Sequence, residues 1–308
     1  YPRKRKIVVS TNIAETSITI DDCVATIDTG RGKTMIYNPR DNTTRLTESF
    51  ISKAEAKQRR GRAGRVREGI SYKLFSKRLY EEDMVSMPEP EIKRISLESL
   101  YISVKAMGIK DVEKFLGGGL DPPPTESIGK AARILTTVGL LDEFDGSLTE
   151  LGKFISLMPT MDSKHGKLLI YSIIFGVADM GILLASILSA GTMPFVGGFE
   201  NKDKIKRLLS KYENKGDLIA VCEIFQQYLS IKGESARNKF IKENLLSYNK
   251  VKEILSSQTQ YQSILKDVGF LPFKKDEKLS AYLNRNCDNY DIVRAVITGA
   301  FYPQMQST

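Results

Sequence analysis

Eight consecutive residues constrain this chain most. Gln58-Arg59-Arg60-Gly61-Arg62-Ala63-Gly64-Arg65 place four guanidinium groups, an amide and two glycines in one run. Arginine carries a planar fork that keeps its charge at any working pH, which suits recognition of phosphate. Gly61 and Gly64 allow a sharp turn and a close approach of the backbone to a ligand. In a helix-like backbone Arg62 and Arg65, three residues apart, project to similar sides. Ser52 and Glu55 form an S-x-x-E capping box just upstream, which predicts a short helix leading into the run. Taken alone, an Arg-rich octamer reads as a solvated basic turn or a localisation signal. The glycine spacing and a second motif turn the reading toward phosphate.

The second motif is Ser10-Thr11-Asn12-Ile13-Ala14-Glu15-Thr16-Ser17-Ile18-Thr19-Ile20-Asp21. It follows Lys6-Ile7-Val8-Val9, a β-branched run that predicts a buried strand. A strand ending in Ser, Thr and Asn would put hydroxyls and an amide at the carboxyl edge of a sheet, where open α/β folds bind ligands. By itself the segment is also an ordinary capped strand-to-helix turn.

In this order and spacing, the two motifs closely resemble motifs V and VI of the DEAH/RHA branch of superfamily 2 ATP-dependent RNA helicases. The family patterns are S-T-N-I-A-E-T-S-hydrophobic-T-I and Q-R-x-G-R-x-G-R, and this chain matches both, with Arg60 at the first free position of the second. Arg60 stands where splicing-type members commonly carry a small residue, which leans toward the RHA-like side.

The fold implied by the resemblance is a partial α/β RecA-like lobe followed by a winged-helix domain, an all-α ratchet-like helical bundle and the start of an OB-fold. The corresponding boundaries are 1–80 for the end of the second RecA-like lobe, 81–157 for the winged helix, 158–287 for the bundle and 288–308 for the OB-fold. The chain opens mid-pattern at Tyr1-Pro2, as a fragment would, and a first RecA-like lobe is expected elsewhere.

Local signals add detail. Ala25–Asp28 reads as a strand ending in a Gly30 turn. Residues 33–37 and 44–50 flank Asn38-Pro39-Arg40-Asp41-Asn42, the chemistry of a β-hairpin. In the resembling family that hairpin helps to separate or grip the nucleic-acid strand. Ile70–Phe75 predicts a further strand. Gly32-Lys33-Thr34 ends like a phosphate loop, but Ile27 stands where that pattern needs glycine, so it reads as the start of the hairpin. Beyond Pro88-Glu89-Pro90, the spacing of Ile92, Leu97, Leu100, Tyr101, Val104 and Met107 predicts one helix ending at Gly108. Thr125 is expected to cap a helix through Val138, Asp145-Gly146 to make a tight turn, and a helix to follow through Ile155. Residues 158–286 read as mostly helical, with amphipathic stretches over 218–229 and 241–255.

Leu168 to Ala190 is long enough to resemble a membrane span, but Asp179 interrupts it between Gly176 and Gly181. Two buried helices joined by a turn, with Asp179 as N-cap, are expected instead. The formal net charge is +9, and residues 53–78 hold ten Lys/Arg against Glu55 and Glu68. Such a field favours a polyanion. Three cysteines and one histidine, His165, give neither a disulfide framework nor a zinc spacing, and they suit a reducing intracellular setting, cytoplasmic or nuclear.

By the resemblance, Arg62 and Arg65 match arginine fingers that stabilise charge on the γ-phosphoryl group of ATP. Gln58 matches the glutamine facing the γ-phosphate or attacking water, and Asp21 an acidic residue near the ribose. Thr11 matches a residue bonding an RNA phosphate and Ser17 one that senses the nucleotide state. Asn12 is grouped with these two, although Asn12, Glu15 and Thr16 also serve to hold the turn in shape. ATP and Mg²⁺ are expected to be bound mainly by the other lobe, since no G-x-x-x-x-G-K-[ST] or D-E-x-H sequence occurs here; the chain alone is expected to be inactive. Expected partners are single-stranded RNA, gripped through its backbone, and ribonucleoprotein or activator proteins, with no membrane. Two alternatives stand beside an RNA helicase: a catalytically silent RNA-binding scaffold on the same fold, and a DNA helicase. Lys202, Lys204, Lys206 and Arg207 read equally as RNA contacts or as a solvated face.

Overall fold

The computed structural model describes residues 5–16, 18, 20–38, 43–158, 162–212, 215–274 and 276–303. Ser17, Thr19, Arg3 and the hairpin-turn residues 39–42 lie outside the described residues. The chain divides into two compact units, Tyr1–Leu97 with Asp111–Ala131, and Glu98–Lys110 with Ala132–Thr308. It is mostly helical, with two small sheets.

The first unit opens with a single helical turn, α1 (Ile13–Thr16), and strand β1 (Ala25–Asp28). Strands β2 (Arg31–Asn38) and β3 (Thr43–Phe50) form the expected antiparallel hairpin, Arg31 facing Phe50 and Asn38 facing Thr43. Lys33 lies within β2 opposite Glu48, so Gly32-Lys33-Thr34 is strand. Gly30 starts the hairpin at φ 71°, and a Cβ there would stand 2.5 Å from the Phe75 ring, so only glycine fits. Helix α2 (Lys53–Arg60) packs through Ala56 on Ile51 and Met84. A 3-10 turn at Gly61–Gly64 follows, and β4 (Ile70–Lys73) then pairs in parallel with β1, Ala25 beside Ile70 and Asp28 beside Lys73.

The expected strand at Lys6–Val9 does not form. Ile7 and Val9 are 85% and 94% exposed, because no neighbouring strand among the described residues pairs with them. The helix predicted over 92–107 is two, α3 (Glu91–Arg94) and α4 (Glu98–Ala106), since the backbone is extended at Ile95 (φ −115°, ψ 164°). Next come α5 (Val112–Gly117) and α6 (Thr125–Thr137).

In the second unit, Leu141 and Leu148 bridge across a tight turn in which Gly146 has φ 64°. Thr149 then caps α7 (Glu150–Ser156) through its hydroxyl, which accepts from the Gly152 N–H at 3.0 Å. Helices α8 (Ser163–Ile174) and α9 (Ala178–Ser189) form the centre. Residues 180–187 of α9 are buried on every side, as an apolar helix inside a bundle requires. Its neighbours are α8, α11 (Asp217–Ser230) and α13 (Tyr248–Asp267); α10 (Phe199–Ser210) and α12 (Glu234–Glu243) pack on α11. The stretch read as 241–255 is broken between α12 and α13. There Leu245 takes φ 54° so that Leu246 can bridge to Phe195. Helices α14 (Glu277–Leu283) and α15 (Tyr290–Phe301) complete the unit, and α15 lies on α8. The segment expected to open an OB-fold is thus this helix, with no strand among its described residues. Among the described residues no helix is long and apolar enough to cross a membrane.

The turn between α8 and α9 is held from a distance. Gly176 has φ 72°, Val177 rather than Asp179 is the N-cap of α9, and the Asp179 N–H donates to Asn284 Oδ1 at 2.8 Å. The carbonyls of Ile174 and Phe175 accept from the side chains of Arg285 and Asn286, and that of Gly176 from the Asn286 N–H. Asp179 is raised above its ordinary carboxylate value by burial, which the hydrogen bond with Asn284 opposes.

Packing around α8 leaves no room beside Gly181. A Cβ on Gly181 would stand 1.8 Å from Ser172 Oγ. Gly181→Ala should therefore destabilise by about 1–3 kcal/mol, and Ser172→Gly in that background should recover part of it, read by urea denaturation. His165, edge-on to Phe301 with Nε2 buried and without a partner among the described residues, is depressed below its ordinary 6.5 by burial; Asp162 opposes this and Lys164 adds to it. A depressed folded value means that stability is complete above 6.5 and drains as pH falls below it. The denaturation midpoint should fall less between about pH 7 and about pH 5 in His165→Gln than in the wild type.

Candidate functional site

The capping box forms as read from the sequence. Ser52 Oγ accepts from the Glu55 N–H at 3.2 Å, and Glu55 Oε2 accepts from the Ser52 N–H at 2.7 Å. The N–H groups of Lys53 and Ala54 reach the carbonyls of Val85 and Ser86 at 2.8 and 3.1 Å, so the first turn of α2 leaves few orphan donors. That fixes where the arginine run begins.

At its other end, α2 passes into the 3-10 turn through Gly61 at φ −64°, ψ −11°. Gly61 and Gly64 are right-handed, and a Cβ on either would meet nothing within 4 Å. The expected sharp bend is therefore not their role; glycine leaves bare backbone on an open side. The glycine that the local fold requires is Gly69, where a Cβ would stand 1.8 Å from the Ala63 carbonyl oxygen. Ala63 is buried beneath that crossing.

Arg59 lies under the run. Its Nε donates to Glu15 Oε2 at 3.0 Å, and its Nη1 to Asp28 Oδ1 at 3.0 Å and to the Arg31 carbonyl at 3.1 Å. Side-chain exposures of 18% for Arg59, 10% for Glu15 and 5% for Asp28 make this a largely desolvated cluster. Burial opposes the charge on Arg59, yet the hydrogen bonds with Glu15 and Asp28 outweigh it and raise the guanidinium above its ordinary value. Removing one partner of such a pair costs about 3–5 kcal/mol, because the opposite charge is left buried alone. Sequence reasoning gave Arg59, Asp28 and Gly69 no role. The available signal was a carboxylate closing the strand Ala25–Asp28 and a second one in a Ser/Thr-rich turn, both in need of a cation.

The Glu15–Arg59 pair brings the 10–16 turn and the 58–65 run together. Thr11 and Asn12 are exposed in that turn, their carbonyls accepting from the N–H groups of Ala14 (3.3 Å) and Glu15 (2.9 Å). Gln58 and Arg65 are exposed on the run. Arg62 is half-buried, and its Nε and Nη1 are sealed from solvent with no hydrogen-bond partner among the described residues. Asp21 is exposed beside Asp22, whose carboxylate pairs with Lys6 at 3.1 Å; among the described residues Asp21 bonds to neither the turn nor the run. Ser17 lies outside the described residues. Among the described residues no three His, Cys, Asp or Glu side chains converge to hold a metal ion.

No family model matches the chain. Individual relatives do. Over 305 residues, 99% of this chain, it is 69% identical to "Putative ATP-dependent RNA helicase YLR419W" of Saccharomyces cerevisiae, covering 21% of that protein. It is 34% identical over 301 residues to "DExH-box ATP-dependent RNA helicase DExH3" of Arabidopsis thaliana, covering 97% of this chain and 24% of the relative. With "Putative ATP-dependent RNA helicase DHX57" of Mus musculus the identity is 33% over 322 residues, 97% of this chain and 23% of the relative. The chain thus spans 21–24% of the length of these curated relatives.

Replacing Gly69 by alanine should destabilise the first unit by about 1–3 kcal/mol. Gly64→Ala should stay within about 0.5 kcal/mol of wild type. Thermal denaturation of the two variants side by side reads the difference.

Proposed function

This chain belongs to the DExH/DEAH-box ATP-dependent RNA helicases, and from that premise we propose that it supplies the arginine fingers and part of the RNA grip of an ATP-dependent RNA helicase. The observation that carries this reading is Arg62, whose buried Nε and Nη1 find no acceptor among the described residues. An unmet buried donor is costly, so a rotation of this half-buried side chain toward an acceptor is favoured, and a phosphate oxygen is the acceptor that a guanidinium fork suits best.

In this proposal Arg62 and Arg65 face the γ-phosphoryl oxygens of ATP. Phosphoryl transfer gains most from fixed positive charge there, about 10³–10⁵ in rate for an arginine finger. Gln58 orients the attacking water or holds the γ-phosphate, and Asp21 sits near the ribose. Thr11, with Asn12, grips the RNA backbone, and Ser17 senses the nucleotide state. Such contacts carry no base information, so binding should be largely independent of sequence and sensitive to salt. Mg²⁺ would accompany the phosphates, and residues outside this chain would hold both it and the nucleotide. The chain alone would then be inactive.

The same reading assigns residues 1–80 to part of a RecA-like lobe. What supports it is the parallel pair β1–β4 with Ile27, Ile70 and Tyr72 exposed, since parallel sheets are normally covered on both faces. Residues 81–157 are assigned to a winged helix, 158–287 to a ratchet-like bundle and 288–308 to the approach to an OB-fold.

In the full-length protein, Arg62→Ala should lower ATP turnover by about 10³-fold or more while RNA affinity stays within about twofold. A steady-state ATPase rate near wild type would remove the finger role. RNA binding without any ATP turnover in the wild type would make the protein a silent scaffold. Equal stimulation by DNA oligonucleotides would favour a DNA helicase.

A further inference from the structure

We infer that Arg59 is a positioning residue that couples the RNA-facing turn to the nucleotide-facing arginines, with Glu15 as its movable arm and Asp28 as its fixed one. This rests on the function proposed above and adds a route by which one side of the site senses the other.

The route is a chain of short contacts. Thr11 and Asn12 are tied to the single turn α1 by their carbonyls, which accept from Ala14 and Glu15. The Glu15 carboxylate meets Arg59 Nε at 3.0 Å. Arg59 is the neighbour of Gln58 and stands three residues before Arg62, at the end of α2. A guanidinium is rigid and planar, so its donors cannot shift independently. Moving Glu15 therefore tilts the fork or breaks a bond, and either outcome is felt where Gln58 and Arg62 leave the helix.

The two arms differ in what holds them. Asp28 closes β1, lies beside Lys73 of β4, and accepts a second bond from the Gly30 N–H at 3.0 Å. Glu15 stands on a helix of four residues. A displacement of the RNA-facing turn thus moves the Glu15 arm while Asp28 stays in place.

Glu15→Gln keeps the shape and removes the charge. In the full-length protein Asp28 still holds Arg59 Nη1 at its resting place, so basal ATPase should stay within about twofold of wild type, while stimulation by a poly-uridine oligonucleotide falls roughly tenfold, within the usual range of coupling effects. Combined with Arg59→Lys, it should lose no more stimulation than Arg59→Lys alone, because both break one interaction. Stimulation within about twofold of wild type overturns the inference. So does a parallel fall of basal and stimulated rates with a lower melting temperature, which would make Arg59 a fold clamp only. Should Glu15→Gln fold poorly, Glu15→Asp keeps the charge on a shorter arm and should show intermediate stimulation at an unchanged basal rate; a uniform loss there also overturns the inference. A wild type without RNA-stimulated ATPase would refute the proposed function itself, whereas a stimulated wild type with an indifferent Glu15→Gln refutes only the coupling.

Discussion

Two carboxylates from different parts of the chain, Glu15 and Asp28, are brought out of water in the first unit, and one guanidinium from α2 answers both. Neither acid could be buried as an anion alone, and Arg59 could not be buried without them. Their mutual need fixes the distance between the Ser/Thr-rich turn, the end of β1 and the end of α2. It also explains why an arginine run that would otherwise be a mobile basic tail has a definite orientation. One side of the helix end is tied inward by Arg59, so Gln58 and Arg65 are left facing out. A lysine could not serve here, because the bonds leave from different nitrogens of one plane.

The second unit is organised by a different force. Its centre is α9, an apolar helix buried all round, and close contact there depends on a small residue, Gly181 against Ser172. Shape decides which helices meet, and charge is mostly kept to the rim. Lys167 departs from this: its ammonium group donates to the Val138 carbonyl at 2.9 Å and is lowered below its ordinary value by burial. Here a buried cation serves as a helix-end cap.

What could be read from the sequence was local. The Ser52–Glu55 box, the hairpin of residues 33–37 with 44–50, the Asp145-Gly146 turn and the paired buried helices over 168–190 all rest on signals within a few residues. The failures share one cause. Lys6–Val9 has the composition of a strand, but a strand exists only where another pairs with it. The patterns over 92–107 and 241–255 keep helical spacing through breaks at Ile95, where the backbone is extended, and at Leu245, beside the bridge of Leu246 to Phe195. In the candidate site the arginine run was legible as a motif, but its division of labour was not. Spacing cannot tell that Arg59 turns inward to acids 31 and 44 residues away.

Asn284, Arg285 and Asn286 hold the α8–α9 turn across sequence separations of 105 to 111 residues. Those hydrogen bonds make the helical unit a closed ring rather than an open stack of hairpins. The carbonyls of Ile174, Phe175 and Gly176 meet these partners only after the chain has passed through α14, a closure of high contact order and therefore entropically expensive. Dissection of the bundle is limited accordingly. Trimming from the carboxyl side past residue 287 would leave that helix end without its distant partners and would also take Val293, Val296 and Ala300 of α15 out of the apolar core.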